Sequence, residues 1–250
     1  MGTPTLAIDF GTSNSAAAVL LDGRLYRLPI EDGADTLPTA VFFDTRGGGM
    51  KIGEAASEAL IEGEDGRYMR ALKSVLGTGL FHEEQPIGGR RQTLADVVTA
   101  FLEEVKARSE MLTGERFDRV LSGRPVHFHT ADPERDAQAE EDLRTCYEAA
   151  GFRDVEFMLE PEAAAVASHG LGRAGALGLI VDIGGGTSDF TVFKTEPDYV
   201  RILASHGVRL GGTDFDHAVS MVHAMPHLGL GSELRREFGP GLQPVPRAIY

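Results

Sequence analysis

The sequence predicts an α/β fold built from two similar lobes. Two distant segments, residues 6–19 and 179–192, repeat one pattern: an apolar run ends in aspartate, glycine-containing residues turn the chain, hydroxyl side chains follow, and a second apolar run begins. Each segment is typical of two strands joined by a tight turn. Elsewhere, strand-like and helix-like patterns alternate, as they do in α/β proteins. The two hairpins lie too far apart for a solenoid repeat, so we expect each to open its own lobe.

The first lobe is predicted over residues 1–172. Its hairpin is followed by strand-like runs at 24–29 and 39–43, after which the chain changes character. Glycine-rich loops then surround a short helix at 54–61, and such loops separate one structural unit from another. We therefore expect an inserted subdomain over about residues 40–92.

The remainder of this lobe carries the clearest helix signals. Apolar residues at three- and four-residue spacings follow Thr93, and Thr93 together with Asp96 resembles a capping box. Asp132 followed by Pro133 predicts the start of a second helix, and Pro161 predicts the start of a third. The intervening apolar runs, at 119–128 and 155–159, are predicted strands.

The second lobe is predicted over residues 175–250. It opens with the second hairpin, continues with a strand at 199–205, and enters a helix near Asp214. The pattern weakens towards the end of the chain, where glycine and proline are frequent. We therefore expect this lobe to be truncated.

Composition argues against several classes of function. With 250 residues, of which 42% are apolar, the chain can bury a real core. No apolar run approaches the ~20 residues needed to cross a bilayer, and we expect neither a membrane segment nor a signal peptide. A net charge of −14 disfavours nucleic acid as a partner. The single cysteine, Cys146, excludes an internal disulfide and fits a reducing compartment, so we expect a cytoplasmic protein.

The residues at the two turns suit phosphate and magnesium chemistry. Small residues let the backbone approach phosphate oxygens, so that N–H groups form an anion-binding nest. Asp9 and Asp182 end their strands with a carboxylate that could hold the water shell of Mg²⁺. Hydroxyl donors to phosphate follow at Thr12, Ser13, Thr187 and Ser188. Either glycine cluster alone could be a plain hairpin turn, but the pair predicts an ATP site.

Five motifs, taken in their order along the chain, resemble the nucleotide-binding part of DnaK-type heat shock protein 70. This family belongs to the actin, hexokinase and heat-shock ATPase superfamily. They are the two phosphate hairpins at 9–15 and 182–189, a lysine segment at 72–77, Glu160-Pro161-Glu162-Ala163-Ala164-Ala165, and Leu210-Gly211-Gly212-Thr213-Asp214-Phe215-Asp216. Gly123-Arg124-Pro125 resembles the divergent YegD-like branch. The resemblance covers nearly the whole chain up to about Pro226.

This resemblance implies an actin-like ATPase fold, with two ribonuclease-H-like lobes, mixed five-stranded sheets and a nucleotide cleft between them. Catalytic roles in phosphoryl transfer are implied for Lys73, Glu160 and Asp182. Asp9 and Asp182 would bind Mg²⁺ through water. Contacts to the phosphates of ATP or ADP are implied for Gly11, Thr12, Ser13, Gly184, Gly185, Gly186, Thr187, Gly211 and Gly212.

The function implied by the resemblance is that of a molecular chaperone, in which ATP hydrolysis moves the lobes and so regulates a client-binding region. The partners would be nucleotide, client proteins and co-chaperones. The family's adenosine-binding Gly-Gly motif is not found up to Tyr250, so we expect a fragment of a longer protein. Two alternatives stay open: a small-molecule kinase of the same superfamily, and a nucleotide-dependent switch that does not hydrolyse ATP.

Overall fold

A computed structural model describes residues 4–45, 49–167, 175–197, 199–236 and 238–246. In chain order its strands are β1 (Thr5–Phe10), β2 (Asn14–Leu21), β3 (Arg24–Leu28), β4 (Thr36–Pro38), β5 (Ala40–Asp44), β6 (Met50–Ile52), β7 (Gly66–Arg70), β8 (Gln85–Ile87), β9 (Arg90–Gln92), β10 (Arg119–Arg124), β11 (Asp154–Leu159), β12 (Leu177–Ile183), β13 (Ser188–Thr195), β14 (Val200–Val208), β15 (Glu233–Arg235) and β16 (Leu242–Pro244). The α-helices are α1 (Glu54–Ile61), α2 (Gly79–His82), α3 (Leu94–Thr113), α4 (Pro133–Ala149), α5 (Glu160–Ala167) and α6 (Gly212–Val219). Short helices of other types cover Leu72–Val75, Ser220–Ala224 and Met225–Leu228.

The largest sheet has the order β11-β10-β1-β2-β3, with β4 paired to β2. Strands β1, β2 and β3 are antiparallel neighbours, whereas β10 and β11 run parallel to β1. The five strands of this path form the mixed arrangement predicted for the first lobe, and β4 adds a sixth strand to the sheet. Because the carboxyl ends of parallel strands meet at one edge, Asp9, Gly123 and Glu160 are brought together there.

Alternation along β1 separates the core from the cleft. Leu6, Ile8 and Phe10 are buried beneath α3 and α4, whereas Asp9 points to the opposite face of the sheet. Burying each of these large apolar side chains is worth about 1.5–3 kcal/mol. The core therefore fixes β1 firmly and with it the position of Asp9.

Both long helices begin where the sequence predicts. The Thr93 hydroxyl accepts a hydrogen bond from Asp96 N, and the Asp96 carboxylate accepts one from Thr93 N, which completes the predicted capping box. Asp132 caps α4, with Pro133 in its first turn. The buried face of α4 includes Cys146.

The segment predicted as an insertion has more regular structure than expected. Strands β6, β5 and β7 form a small sheet, and α1 packs on it through a core of Ala40, Phe42, Ala56 and Ala59. Strands β8 and β9 form a hairpin where only a loop was predicted. Gly88 and Gly89 both have positive φ, 59° and 78°, and such a pair suits a tight hairpin turn.

The second sheet is an antiparallel meander in the order β12-β13-β14. Among the described residues it has three strands, fewer than the five of a complete lobe. Helix α5 contacts strands of both large sheets and so lies between them. The predicted lobe boundary at 172–175 falls largely in 168–174, outside the described residues, and the division into lobes stays a prediction. No helix in the described part of the chain is long and apolar enough to cross a membrane.

Candidate functional site

A cavity of about 610 Å³ opens between the two predicted hairpins. Most of the predicted site residues line it: Asp9, Gly11, Thr12, Ser13, Lys73, Glu160, Asp182, Gly184, Gly185 and Thr187. Gly186, Gly211 and Gly212 lie directly behind this wall, against the second turn or the first. The structure therefore brings together segments that are separated by most of the length of the chain.

The two turns touch each other. A Cβ atom placed on Gly185 would lie 2.3 Å from Ser13 Oγ, and one placed on Gly186 would lie 3.1 Å from Thr12 Oγ1. The backbone of the second turn thus packs against the hydroxyl side chains of the first. A side chain at Gly185 would force the Ser13 hydroxyl to rotate away and would crowd Thr12 Cβ at 3.3 Å, so glycine suits this close approach.

The start of α6 braces the second turn from behind. Gly212 N and Thr213 N donate to the carbonyls of Gly184 and Gly185, at 2.9 Å each. The Thr213 hydroxyl also donates to Gly185 O, and Asp214 accepts from Gly211 N at 2.9 Å. These contacts of Thr213 and Asp214 were not predicted from the sequence. For Asp214 the sequence does carry a signal, because an aspartate three residues after a helix-capping glycine resembles a capping box.

Three carboxylates meet one ammonium group in the cleft. Lys73 Nζ lies 2.5 Å from Glu160 Oε1, and the Lys73 side chain is only 7% exposed. Asp9 keeps some surface open to the cleft. The pKa of Asp9 is nevertheless raised, mainly because folding removes much of the water around its carboxylate. The charges of Glu160 and Asp182 raise this pKa further, and the Lys73 ammonium group opposes the rise. The pKa of Asp182 is raised by the same loss of water and by Glu160. The cluster has excess negative charge and favours a bound cation.

The donor set fits Mg²⁺ held through water. Hard oxygen ligands surround the cleft, and Mg²⁺ prefers oxygen ligands while keeping several waters. Within the described ranges, no three His, Cys, Asp or Glu side chains lie close enough to hold a metal directly. Binding of Mg²⁺ by Asp9 and Asp182 through its water shell, as the resemblance implies, stays a prediction.

Lys73 lies in a short 3₁₀ helix, Leu72–Val75, that is entered through Ala71 in the left-handed conformation (φ 55°). The second sheet reaches this helix through Arg209, whose guanidinium donates to Ser74 O at 2.9 Å. No sequence pattern marks Arg209 for this role. It lies directly before the Leu210-Gly211-Gly212 segment, so one stretch of chain contacts both the lysine helix and the second turn.

Asp189 makes a second connection between the sheets, which was not predicted from the sequence. It is 1% exposed and accepts a hydrogen bond from Val126 N, in the segment after β10, at 3.2 Å. Burial raises its pKa, although the hydrogen bond from Val126 acts in the opposite direction. The contact ties the second hairpin to the first sheet.

The prediction that Ser188 donates to phosphate is wrong. Ser188 is buried, and its hydroxyl donates to Leu210 O at 2.7 Å. Ser188 already belongs to β13, and its side chain points away from the cavity that Thr187 lines. Its hydroxyl stabilises the segment beside the second turn instead.

We expect Asp9→Asn to stabilise the protein at pH 7 when metal and nucleotide are absent. A carboxyl group with a raised pKa binds more protons in the folded than in the unfolded state, so stability falls as pH rises from its ordinary value of 3.8 through the raised pKa. Neutral asparagine removes this loss. In urea unfolding, the advantage of Asp9→Asn should shrink as pH is lowered from 7 towards 4.

Asp136→Asn is the control, because it should change the stability of the fold in the opposite direction. Burial alone would raise the pKa of Asp136, but hydrogen bonds from His129 N, the His127 side chain and Phe128 N outweigh it and lower the pKa. This carboxylate contributes stability above its ordinary pKa of 3.8, which is lost as pH falls. Asp136→Asn should therefore destabilise at pH 7, by about 1–3 kcal/mol. Equal effects of both substitutions at pH 7 would contradict the raised pKa of Asp9.

Comparison with known proteins places this chain in a family. The model of the family described as Hsp70 protein matches residues 82–227, which is more than half of the chain. The chain belongs to the Hsp70 family. The family and the actin-like ATPase fold predicted from the sequence are thereby confirmed, whereas the likeness of Gly123-Arg124-Pro125 to the YegD-like branch stays a prediction. Glu160 and the second hairpin lie inside the matched segment, and Lys73 and the first hairpin precede it.

Several curated relatives of this Hsp70-family chain are chaperone proteins named DnaK. The protein from Thermoplasma acidophilum is 32% identical over 221 residues, which cover 86% of this chain and 34% of the relative. Those from Methanothermobacter thermautotrophicus and Endomicrobium trichonymphae are 31% identical over 221 and 222 residues, again covering 86% of this chain and 35% and 34% of the relatives. The chain thus spans about a third of the length of the relatives it matches.

Proposed function

We propose that this chain binds MgATP between its two hairpins and hydrolyses it, as the nucleotide-binding part of a heat-shock-type chaperone. The observation that carries the proposal is the contact between the two turns around a cavity, where a buried lysine pairs with one of three clustered carboxylates. Membership of the Hsp70 family and similarity to DnaK chaperones support the same activity. A cytoplasmic location belongs to this proposal.

The phosphates would lie along the two turns. In this proposal Gly11, Thr12 and Ser13 contact them from one side and residues 184–187 from the other, through backbone N–H groups and hydroxyls. Gly211 and Gly212 act from behind by holding the second turn. Backbone amides suit a protein with net charge −14, because they bind anions without a basic surface.

Hydrolysis would depend on placement and on charge neutralisation. We assign Lys73 to the γ-phosphate and the attacking water, and Glu160 and Asp182 to orienting that water and accepting its proton. Asp9 and Asp182 would hold the water shell of Mg²⁺, which neutralises phosphate charge when bound. The short Lys73–Glu160 contact keeps the ammonium aimed into the cleft before nucleotide arrives.

Movement of the two sheets would transmit the nucleotide state. Asp189 and Arg209 join the second sheet to the first at two points, Val126 N and Ser74 O. In the proposal, loss of the γ-phosphate changes the contact between the turns, and these connections convey the change towards client proteins and co-chaperones. The alternatives, a small-molecule kinase and a switch without hydrolysis, would use the same turns.

Calorimetric titration with MgATP tests the proposed site. We expect saturable binding by the wild-type chain and at least a tenfold weaker affinity for Asp182→Ala, which loses one of two carboxylates that would hold the metal's water shell. Asp216→Ala, the same change on the exposed part of α6, is the matched control and should bind like the wild type. Circular dichroism would verify that each variant is folded. Absence of binding by the folded wild-type chain, or undiminished binding by Asp182→Ala, would refute the proposed site.

A further inference from the structure

The short helix that carries Lys73 has few internal hydrogen bonds to stabilise it. It has four residues, Leu72–Val75, and it leads into Gly77, which has φ +71°, and then into the four-residue helix α2. Helices this short are marginal without outside contacts. The position of the Lys73 ammonium group must therefore be fixed by the elements on which the segment packs.

A buried carboxylate on α4 supplies such a contact. Asp142 is 3% exposed and lies outside the cavity between the hairpins. Its Oδ2 accepts a hydrogen bond from Gly77 N at 2.8 Å, and its Oδ1 lies 2.9 Å from His82 Nε2 and 2.8 Å from Gln138 Nε2. Gln138 is on α4 itself, but Gly77 lies in the turn that follows the lysine helix, and His82 is the last residue of α2. Asp142 thus connects both ends of the segment 77–82 to a 17-residue helix.

The turn lies directly on α4. A Cβ atom on Gly77 would come within 2.3 Å of Arg135 O and 3.0 Å of Ala139 Cβ. His129 Nε2 lies 2.7 Å from Leu76 O, and Arg135 Nε donates to Gly77 O at 3.3 Å. These contacts limit sliding of the turn, and among the described side chains Asp142 is the one that binds both ends of the segment 77–82.

Burying a carboxylate is costly unless its oxygens are hydrogen-bonded, and an apolar residue would fill this position on α4 more cheaply. The partners of Asp142 show what the carboxylate does instead. We propose that Asp142 is a positioning residue, which acts through Gly77 and His82 to hold Lys73 against Glu160. The role of Lys73 rests on the proposed function, whereas the effect of Asp142 on the placement of Lys73 does not.

Competitive lysine acetylation without nucleotide tests the placement directly. The chain has four lysines, and peptide mass spectrometry can follow Lys73 and Lys106 in the same sample. Lys106 is an internal control beside the end of α4: its ammonium donates to Gly151 O at 2.7 Å and lies over the Phe152 ring. In Asp142→Asn we expect Lys73 to react at least about fivefold faster than in the wild type, with Lys106 unchanged, because a hydrogen-bonded buried charge is lost.

A pair of substitutions at His82 supports the test if Asp142→Asn does not fold. The His82 side chain is 57% exposed, so its replacement leaves the core intact. His82→Ala should accelerate acetylation of Lys73, whereas His82→Gln, which still has an N–H donor for Asp142, should stay close to the wild type. Unchanged Lys73 reactivity in both Asp142→Asn and His82→Ala would overturn the inference. Equal acceleration of Lys73 and Lys106 would do so too, because it indicates general loosening.

Basal ATP turnover separates this inference from the proposed function. If Asp142 acts through Lys73, Asp142→Asn should lower turnover in the wild-type background and cause no further loss in Lys73→Ala. An equal loss in both backgrounds would contradict action through Lys73. A wild-type chain that shows no turnover but gives the acetylation pattern above would refute hydrolysis by this chain and leave Asp142 as the residue that positions Lys73.

Discussion

Replacing Lys73 by alanine is expected to lower basal ATP turnover by about a hundredfold or more, with MgATP affinity changed much less. Preorganised charges aimed at a developing negative charge contribute on this scale. The ammonium group contacts Glu160 and partly offsets the rise in the pKa values of Asp9 and Asp182, so its loss leaves the carboxylates facing the phosphates without compensation. Single-turnover hydrolysis, measured beside calorimetric binding, would separate the two effects.

Lys51→Ala is the matched control for this experiment. Lys51 forms a surface ion pair with Glu64, 2.6 Å between Nζ and Oε1, and its loss should leave turnover unchanged. If Lys73→Ala hydrolyses ATP at the wild-type rate, the assignment of Lys73 to the reaction is wrong. If neither variant nor the wild type hydrolyses the ATP that they bind, the switch without hydrolysis becomes the better account.

Gly211→Ala is expected to abolish measurable MgATP binding and to destabilise the chain by about 1–3 kcal/mol, the usual cost of overpacking. A Cβ atom here would lie 2.6 Å from Gly185 C, 2.6 Å from Gly186 N and 2.7 Å from Gly184 O. All three are backbone atoms, so no side-chain rotation can relieve the contact. The second turn would have to move away from α6, and with it the amides proposed to bind phosphate.

Gly212→Ala, one residue further on, provides the comparison. Its Cβ atom would meet its nearest neighbours, Gly184 O and Gly185 Cα, at 3.7 and 3.9 Å, which is ordinary contact. It should therefore fold and bind like the wild type. Binding would be followed by calorimetry and stability by thermal unfolding. Similar behaviour of the two variants would show that the close approach at Gly211 does not control the phosphate turn.

Features set by a few neighbouring residues could be predicted from the sequence. The capping box at Thr93 and Asp96, and the start of α4 after Asp132, depend on hydrogen bonds within one turn of helix. The two hairpins depend on strand alternation and small turn residues, which are also local. That Lys73 and Glu160 belong to one site, by contrast, was implied only by the family resemblance, and their ion pair, which spans 87 positions, was not predicted at all.

Features that depend on distant packing were missed. The hydrogen bond from Val126 N to Asp189 spans 63 positions, and that from Arg209 to Ser74 O spans 135. Neither backbone partner is distinguishable in the sequence, since every residue has a carbonyl and nearly every residue an amide. The prediction for Ser188 failed for the same reason. A hydroxyl beside a glycine turn suggests a phosphate ligand, but in the fold this hydroxyl donates to the carbonyl of Leu210, which is distant in sequence.

The parallel pairing of β1 with β10 and β11 has a consequence for how the protein is made. Asp9 leaves the ribosome early, but its neighbours at the same sheet edge, Gly123 and Glu160, follow more than a hundred residues later. Contacts between such distant segments close slowly, because chain entropy must be lost before they form. The cleft cannot be complete until Asp214 has been synthesised. Stabilisation by any ligand of this cleft therefore cannot begin before Asp214 has been synthesised, and the first strands must survive until then on their own packing.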